Sequence, residues 1–366
     1  MTPLSTHAAR IERAQRMLAA THIDWLICGP GADLQYFTGL RGHDSERLSV
    51  LMLPSSGRPA WVVPVLEAPL LDDLGDLVTV HRWEEADDPA AAAAAVMGGG
   101  APVVALTESL RAAFVLRLQK ALPGASWIEA TPTLRPLRMV KDAQEIALLE
   151  EAAHLTDEAW VRFLETSIIG LTEREAMRRL VEITTSMGLG PGFCHAGSGP
   201  YSASPHYGGG DRVIGPNEAV VFDWGGTLEG YNSDVTRTVW TGGAPDPEFA
   251  RIYQTVLEAN EATLAAAGPG VPCETLDRTA RDLITAAGYG EYFVHRVGHG
   301  LGLSLHEEPY LVAGNTLPLQ AGMVFSDEPG IYLPGRFGAR IEDTVVCTDT
   351  GARKINHAPR DLRVMQ

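Results

Sequence analysis

Short apolar runs alternate with amphipathic segments along the first third of the chain. Apolar residues recur at helical spacing over residues 11–20, which predicts a helix. Runs rich in β-branched and aromatic residues, each bounded by turn-forming residues, predict strands at residues 25–28, 48–53, 61–63, 78–80, 103–106 and 127–130. The alternation predicts a small α/β domain over residues 1–132.

A proline-containing segment at residues 131–136 interrupts this pattern and predicts a linker, because Pro132 and Pro136 both oppose regular structure. Two pairs of helical patterns follow, and each pair precedes a glycine-rich region of strands and turns. The helices are predicted at residues 141–167, 172–187, 246–267 and 275–287. This order is typical of a duplicated α+β unit over residues 133–366, although no sequence repeat demonstrates a duplication.

Charge and composition narrow the possible partners. The 366 residues carry a formal net charge of −17, which disfavours nucleic acid and anionic membrane surfaces as partners. No apolar run approaches the roughly 18–20 residues that span a bilayer. The four cysteines are scattered without CxxC spacing, which favours reduced thiols and a cytoplasmic protein over a disulfide framework or a zinc ribbon.

Two predicted hairpins each bring a pair of carboxylates together. If the first hairpin is centred between Leu228 and Glu229, Asp223 lies directly opposite Asp234. The second hairpin, centred at Gly335, places Glu328 opposite Glu342 by the same rule. Directly opposed like charges destabilise a sheet, and a pair of bound divalent cations would compensate them. The competing interpretation is an exposed acidic patch or a different strand register.

Histidines cluster between these hairpins. His295, His299 and His306 fall within 12 residues and are interleaved with glycines, which allow close backbone approach. A fourth, His206, lies in the segment SGPYSASPH. Imidazole can bind a metal or transfer a proton near neutral pH, so the clustering indicates a site even though any single histidine could be structural.

These motifs together resemble a known family. The stretches GHGLGLSLHEEPY and DEPGIYLPGRFGARIEDTV, the FDWGG…YNSDVTRT hairpin and the SGPYSASPH segment are similar to those of the M24 pita-bread metallopeptidases, in the family's order. Within that family the Xaa-Pro peptidases, prolidase and aminopeptidase P, match best. The resemblance runs from Leu134 to the end of the chain and implies an α+β pita-bread catalytic domain. The domain in front more weakly resembles the creatinase-type N-terminal domain, which is α/β.

The resemblance also implies roles for individual residues. Two divalent ions (Mn, Co or Zn) are expected on five protein ligands: Asp223, Asp234, His299, Glu328 and Glu342. The residues expected to act in catalysis are Glu328, as proton shuttle, His206 and His306. Those expected to hold or orient the substrate are His206, His295, His306, Tyr332 and Arg340. For Tyr332, packing on a buried hairpin face is an equally good interpretation, and for Arg340 an ion pair to a ligand carboxylate is favoured. A homodimer is implied by the resemblance alone.

Substrate length separates the two activities. A prolidase binds a dipeptide with a free C-terminal carboxylate, so it needs a cation beyond the proline pocket, whereas aminopeptidase P leaves that end open. Arg41 or Arg47, in a polar loop of the first domain, is a candidate cation; a solvated loop is the alternative. Two departures from the family pattern, Tyr207 and Ser304, bear on specificity. We predict hydrolysis of Xaa-Pro dipeptides, with aminopeptidase P activity or a related small-molecule hydrolase or lyase on the same fold as alternatives.

Overall fold

Two units make up the computed structural model, which describes residues 2–366. The first ends at Arg138, and the second spans Met139–Gln366. The boundary expected from the sequence, after residue 132, falls inside a helix of the first unit.

The first unit follows the predicted order of strands and helices. Its helices are α1 (Leu4–Ala20), α2 (Ala32–Thr38), α3 (Pro89–Met97), α4 (Ala112–Ala121) and α5 (Thr131–Arg138). A 3₁₀ segment covers Ala68–Leu77. Its strands are β1 (Trp25–Cys28), β2 (Val50–Pro54), β3 (Ala60–Pro64), β4 (Thr79–Trp83), β5 (Val103–Leu106) and β6 (Ser126–Glu129). They form one mixed sheet in the order β4-β3-β2-β1-β5-β6, which confirms the α/β prediction.

The predicted linker is instead the helix α5. Pro132 lies in its first turn, where a backbone N–H has no partner within the helix, so proline is tolerated there. Pro136 lies near the other end of this eight-residue helix, where its missing N–H removes one hydrogen bond without preventing the turn. The prediction of irregular structure was therefore wrong, because it counted prolines without weighing their position within a helix.

The second unit has the predicted sequence of two helices and a strand region, twice over. Its helices are α6 (Ala143–Leu164), α7 (Glu173–Ser186), α8 (Pro247–Ala266) and α9 (Cys273–Ala286). The strands of its first half are β7 (Gly190–Ser198), β8 (Ala219–Leu228), β9 (Tyr231–Asn232) and β10 (Val235–Thr241). Those that follow are β11 (Gly298–Gly300), β12 (Glu307–Leu311), β13 (Val324–Asp327), β14 (Gly330–Leu333), β15 (Phe337–Arg340), β16 (Asp343–Cys347), β17 (Ala352–Lys354) and β18 (Arg363–Met365).

Two five-stranded sheets and a two-stranded ribbon result. The first sheet runs β18-β10-β8-β7 with β9 on β8, and the second runs β12-β11-β13-β16-β17. The strands β14 and β15 pair with each other as the ribbon. An isolated bridge between Thr236 and Glu342 connects the first sheet to the segment between β15 and β16. The two hairpins that carry carboxylates therefore meet at this bridge.

Packing of the helices orients the strands. Trp160 of α6 stacks on Trp224 at 4.7 Å between ring centroids, and Phe163 lies edge-on to Phe222 at 5.0 Å. Because side chains alternate along a strand, burial of Phe222 and Trp224 against α6 turns Asp223 to the opposite face of β8. Both α6 and α7 begin with capping boxes that fix where each helix starts. No helix within residues 2–366 has the length and apolar character needed to cross a membrane.

Candidate metal centre

A cleft of about 460 Å³ in the second unit collects most of the predicted site residues. Its walls are formed by Phe193, His195, Pro205, His206, Asp223, Asp234, His295, Arg296, His299, Leu305, His306, Glu328, Arg340 and Glu342. Tyr332 is the one predicted site residue that does not line it. The side chain of Tyr332 is buried at 3% exposure and acts on the cleft through its hydroxyl.

The first hairpin does not have the register that the sequence predicted. Leu228 pairs with Tyr231 across a two-residue turn, Glu229-Gly230, in which both residues have positive φ. Such a turn is the usual tight connection of a hairpin and centres it one position later than expected. Asp223 therefore lies opposite Thr236, not opposite Asp234. A shift of two residues preserves the alternation of side chains, so both aspartates still face the cleft.

The second hairpin has the predicted register. Asp327 pairs with Asp343 in one ladder and Gly330 pairs with Arg340 in the next, and both pairs share the same index sum. Glu328 and Glu342 occupy matching positions in the gap between these ladders. Their side chains both reach the cleft, as predicted.

Thr236 links the two hairpins at the level of side chains. Its Oγ1 donates to Glu342 Oε2 at 2.6 Å, while its carbonyl accepts from the Glu342 backbone N–H at 3.1 Å. The same Oγ1 accepts from Arg340 Nε at 3.0 Å. The bridge fixes Glu342 relative to β10, so its carboxylate stays beside the aspartates of the first hairpin.

His299 presents an unprotonated nitrogen to these carboxylates. Its Nδ1 lies 3.0 Å from the Gly300 carbonyl, which can only accept, so Nδ1 carries the proton and Nε2 has a free lone pair. That Nε2 lies 3.6 Å from Asp234 Oδ2 and 3.4 Å from Glu328 Oε1. Burial, followed by the nearby His306, lowers the pKa of His299 to about 3, so the ring is neutral. A lone pair facing carboxylates is a favourable arrangement only around a cation.

A glycine brings the His299 backbone close to its neighbour. A Cβ at Gly298 would lie 1.9 Å from the Ser326 carbonyl oxygen, which no side chain tolerates. Close approach of the strands lets Ser326 Oγ accept from the His299 backbone N–H at 3.0 Å. The glycine of the HRVGHG motif thus positions the imidazole through its backbone.

The electrostatics of the cleft favour bound cations. Burial first, and neighbouring carboxylates second, raise the pKa values of Asp234 and Glu342 well above their ordinary range. Burial raises the pKa of Glu328 to about 7. Asp223 Oδ1 is buried without a hydrogen-bond partner among the described residues. Four carboxylates share the cleft with two arginines, Arg296 and Arg340, and an orphaned carboxylate oxygen in such a cluster fits a divalent metal.

Three of the five predicted ligands lie close enough together to bind a common metal ion. Donor atoms of Asp234, His299 and Glu342 all lie within 4.8 Å of each other, and all three residues are buried. Glu328 is close to this group, because its Oε1 lies 3.4 Å from His299 Nε2. Asp223 forms an ion pair with Arg340 in the same cleft. The donor set is rich in oxygen with a single nitrogen, which suits Mn, Co or Zn.

A hydrogen-bonded chain leads away from Asp223. Arg340 Nη2 donates to Asp223 Oδ2 at 2.6 Å, and Arg340 Nη1 donates to Tyr332 Oη at 3.0 Å. Tyr332 in turn lies 2.8 Å from His295 Nε2. His295 Nδ1 faces the Arg296 carbonyl at 2.7 Å, so Nδ1 carries the proton and Nε2 accepts from the tyrosine. Burial, with the Arg340 charge second, lowers the pKa of His295 to about 3 and keeps it neutral.

The other two predicted histidines lie at the wall of the cleft. His306 meets His299 edge to face with 4.1 Å between ring centroids, and burial lowers the pKa of His306. His206 is exposed. Tyr207, which follows it, donates its hydroxyl to Glu173 at 3.0 Å, so this departure from the family pattern anchors the loop outside the cleft wall.

Several cleft residues were not predicted. His195 is the cross-strand partner of Asp223, so pairing β7 with β8 would have indicated it. Phe193 lies two residues earlier, on the same face, with its ring centroid 5.8 Å from that of His195. Arg296 and Leu305 adjoin predicted histidines, but no periodicity of their own distinguishes them.

Fold and cleft together are typical of a metal-dependent hydrolase, and the chain belongs to metallopeptidase family M24. The model of that family matches residues 147–349, and the creatinase/prolidase N-terminal domain matches residues 10–140. The predicted family and fold class are thereby confirmed, and the protein is a peptidase.

Its relatives are similar over nearly their whole length. The probable dipeptidase PepE of Mycobacterium tuberculosis is 43% identical over 98% of this chain and 96% of its own. The Xaa-Pro dipeptidase of Lactobacillus helveticus is 33% identical over 97% of this chain and 98% of its own. Among solved structures, the recombinant prolidase from Thermococcus sibiricus superimposes with a TM-score of 0.93 at 34% identity, covering 97% of this chain and 98% of that one.

Proposed function

We propose that this protein is a metal-dependent Xaa-Pro dipeptidase that releases an N-terminal amino acid and proline. The observation that carries the proposal is the convergence of four carboxylates with the unprotonated Nε2 of His299 in one cleft of an M24 peptidase. Relatives named as dipeptidase, Xaa-Pro dipeptidase and prolidase support the dipeptide as substrate. Aminopeptidase P activity on longer peptides is the second candidate, because an X-Pro aminopeptidase is also among the solved structures of similar fold.

We assign five residues to two divalent ions. The residues that would hold these ions are Asp223, Asp234, His299, Glu328 and Glu342, all of which line the cleft. The chemistry that bound ions supply is Lewis acidity, which polarises the scissile carbonyl and activates water near neutral pH. Manganese, cobalt and zinc all suit the donor set.

Glu328 is the proton shuttle in this proposal. Its carboxylate accepts a proton from the attacking water as the new C–O bond forms. It then delivers that proton to the imino nitrogen of proline as the C–N bond breaks, so the leaving group departs as a neutral amine. Ser326 Oγ lies 3.3 Å from Glu328 Oε1 and helps to hold the carboxylate in place.

His206 and His306 are assigned to the developing negative charge. Each lines the cleft and offers an N–H that can donate to the substrate carbonyl oxygen as it becomes an oxyanion. His295 lines the cleft and is assigned to substrate binding. Tyr332 and Arg340 orient His295 and Asp223 through the hydrogen-bonded chain. Tyr332 is thus a positioning residue, because its ring does not line the cleft.

The decisive experiment compares an Xaa-Pro dipeptide with an Xaa-Pro-Yaa tripeptide, each with added Mn²⁺ and after chelation, while metal content is measured by elemental analysis. Metal-dependent cleavage of the dipeptide alone is the expected result. Preference for the tripeptide would establish aminopeptidase P instead. Cleavage of neither substrate by protein that holds metal would refute the peptidase assignment and favour the small-molecule alternative.

The proposed function also includes an assembly state and a cellular compartment for the protein. We propose a homodimer in the cytoplasm, where four unpaired thiols would stay reduced. Sedimentation velocity at micromolar concentration tests the dimer, and a single monomeric species would contradict it.

A further inference from the structure

A buried carboxylate outside the cleft binds the loop of residues 198–210 at four points. Glu173 is the first residue of α7, and its side chain is buried. Its Oε1 accepts from the Ser198 backbone N–H at 2.9 Å and from Ser198 Oγ at 2.6 Å. Its Oε2 accepts from Tyr207 Oη at 3.0 Å and from the Gly210 backbone N–H at 2.9 Å. Both carboxylate oxygens therefore hold the same loop.

The four donors come from the two ends of the loop and from the residue that follows His206. Ser198 begins the loop, Gly210 ends it, and Tyr207 directly follows His206 in the chain. The Tyr207 ring also stacks on Tyr201, with 4.6 Å between ring centroids and 10° between ring planes. The carboxylate thus closes the loop and fixes the residue next to the predicted catalytic histidine.

The surroundings of Glu173 favour a charged carboxylate at this place. The N-terminus of a helix stabilises negative charge, and hydrogen bonds to an ionised acceptor are about twice as strong as neutral ones. Arg212 reinforces the closure, because its Nη1 donates to Ser198 Oγ at 2.6 Å while its Nη2 pairs with Glu218 Oε2 at 2.5 Å. The start of the loop is therefore held by a charged network and not by a single bond.

His206 depends on its neighbours for its position, because it is an exposed residue on a loop. On the cleft side, Arg340 Nη1 donates to the Pro205 carbonyl at 3.3 Å. On the outer side, Glu173 holds Tyr207. The residues before and after His206 are thus both fixed. An oxyanion donor must be aimed at the place where charge develops, and a displacement of about 1 Å can cost about 100-fold in rate.

We infer that Glu173 is a positioning residue that holds His206 in place through the loop of residues 198–210. The inference rests on the proposed function, in which His206 donates to the developing oxyanion. Glu173 does not line the cleft, so its effect on the reaction passes through the loop. Such a residue changes kcat more than KM, because the contact that it supports strengthens in the transition state.

Three substitutions test the inference. Glu173→Gln keeps the size of the side chain but leaves one acceptor oxygen, so its amide hydrogens face donors of the loop. Tyr207→Phe removes one of the four hydrogen bonds and keeps the aromatic ring. Glu175→Gln is the matched control, because Glu175 lies in the same turn of α7 and accepts from the Thr172 N–H at 2.8 Å and from Thr172 Oγ1 at 2.9 Å, not from the loop.

Each substitution is made in the wild type and in the variant His206→Ala, and hydrolysis of Ala-Pro is measured with Mn²⁺-loaded protein. In the wild type we expect Glu173→Gln to lower kcat by about 10-fold and Tyr207→Phe by about threefold, with KM within about twofold. In the His206→Ala background both should change kcat by less than about twofold, because the positioned group is gone. Glu175→Gln should stay within about twofold in both backgrounds.

Two kinetic outcomes would overturn the inference. Losses of equal size in both backgrounds would make Glu173 a structural residue that does not act through His206. A loss for Glu175→Gln as large as that for Glu173→Gln would place the effect in the start of α7. If Glu173→Gln does not fold, Tyr207→Phe decides between the same outcomes.

Histidine ¹H–¹³C NMR spectra of Zn²⁺-loaded protein give a readout that needs no turnover. The Cε1–H signal of His206 is the one that disappears in His206→Ala. We expect Glu173→Gln and Tyr207→Phe to shift or broaden this signal while the signals of the other cleft histidines stay in place. A His206 signal that is unchanged in both variants would overturn the inference.

The inference and the proposed function can fail separately. Wild-type protein that holds metal but does not cleave Ala-Pro would refute the proposed function, and the NMR spectra would still decide whether Glu173 positions His206. A His206→Ala variant with the kcat of the wild type would leave the peptidase intact and overturn the inference, because Glu173 would then support no catalytic group.

Discussion

Arg340 Nη2 donates to Asp223 Oδ2 at 2.6 Å, which ties the second carboxylate-bearing hairpin to the first. The contact engages one carboxylate oxygen and leaves the other, Oδ1, buried without a hydrogen-bond partner among the described residues. An arginine that holds one oxygen orients the second toward whatever the cleft binds. Arg340 is therefore a positioning residue for Asp223.

Replacement of Arg340 should therefore weaken the metal centre. We expect Arg340→Met to lower kcat/KM or metal affinity by about 10–100-fold, the range typical of residues that orient a ligand. Arg340→Lys should retain part of the activity, since it keeps the charge. Titration with Mn²⁺ followed by elemental analysis measures the affinity directly. Arg336→Met is the control, because Arg336 is half-exposed and pairs with Glu248; equal defects in the two variants would contradict the assignment.

Asp234 should affect stability in opposite directions with and without metal. In chelator, Asp234 adds to the repulsion among the buried carboxylates, so Asp234→Asn should raise Tm by about 2–4 °C, or about 1 kcal/mol. With excess Mn²⁺ the wild type should gain more stability than the variant, because ligand binding stabilises the folded state. Differential scanning calorimetry in EDTA and in Mn²⁺ measures both effects. A variant less stable than wild type in EDTA would show that Asp234 is not repelled by its neighbours.

A buried ion pair holds the loop that carries His306. Lys141 Nζ lies 2.8 Å from Glu307 Oε1, and the Lys141 side chain is 1% exposed. Lys141→Met would remove the buried cation that faces the Glu307 carboxylate, so we expect a loss of about 3–5 kcal/mol in the free energy of unfolding. Urea denaturation measures it, and the double variant with Glu307→Gln should recover part of the loss.

The exposed pair Arg178–Glu182 serves as the control for that experiment. Both side chains are about 70% exposed, so Arg178→Met should change the free energy of unfolding by less than about 0.5 kcal/mol. A Lys141→Met variant as stable as this control would show that Glu307 does not depend on the lysine.

His7 should make the first unit sensitive to acid. It is 3% exposed, its Nδ1 lies 3.1 Å from the Tyr36 carbonyl, and burial lowers its pKa below the ordinary 6.5. A histidine with a depressed pKa binds a proton more readily when the chain is unfolded. Its stabilising contribution is therefore present above about pH 6.5 and is lost as the pH falls toward the folded-state value.

The variant His7→Asn tests the contribution of His7 to the pH dependence of stability. His7→Asn can keep the hydrogen bond to Tyr36 without titrating, so unfolding of the first unit should depend less on pH between 7.5 and 5.5 than it does in the wild type. Thermal unfolding followed by circular dichroism across that interval measures the difference. His154→Asn, on the exposed side of α6, should leave the pH dependence unchanged; an identical profile for His7→Asn would refute the prediction.

The sequence predicted the elements well where local rules act alone. Trp25–Cys28 and Val103–Leu106 form the predicted strands with the predicted bounds, because β-branched runs between turn residues depend little on context. The first hairpin register was misjudged, since two candidate turns lie one residue apart and only the positive φ values at Glu229 and Gly230 choose between them. Because side chains alternate along a strand, the prediction that Asp223 and Asp234 face the same cleft was still correct.

Contacts between distant segments could not be predicted from sequence patterns. Nothing in the residues around Thr236 indicates that its hydroxyl meets Glu342, which lies 106 positions later. His195 was missed for a related reason, since its place in the cleft depends on the strand opposite it, where it pairs with Asp223. The family resemblance supplied the proposed ligands, but the stacking of Arg296 on Tyr310 is visible only in three dimensions.

The bridge between Thr236 and Glu342 also bears on how the centre is assembled during synthesis. Two of the proposed ligands precede residue 240, and Glu342 follows about 100 positions later, so a nascent chain carries an incomplete ligand set until the segment with Glu342 has been synthesised. Closing so long a loop is slow compared with forming either hairpin. Metal capture should therefore be a late event that reports completion of the second unit, and truncated chains should bind metal poorly even where their hairpins are folded.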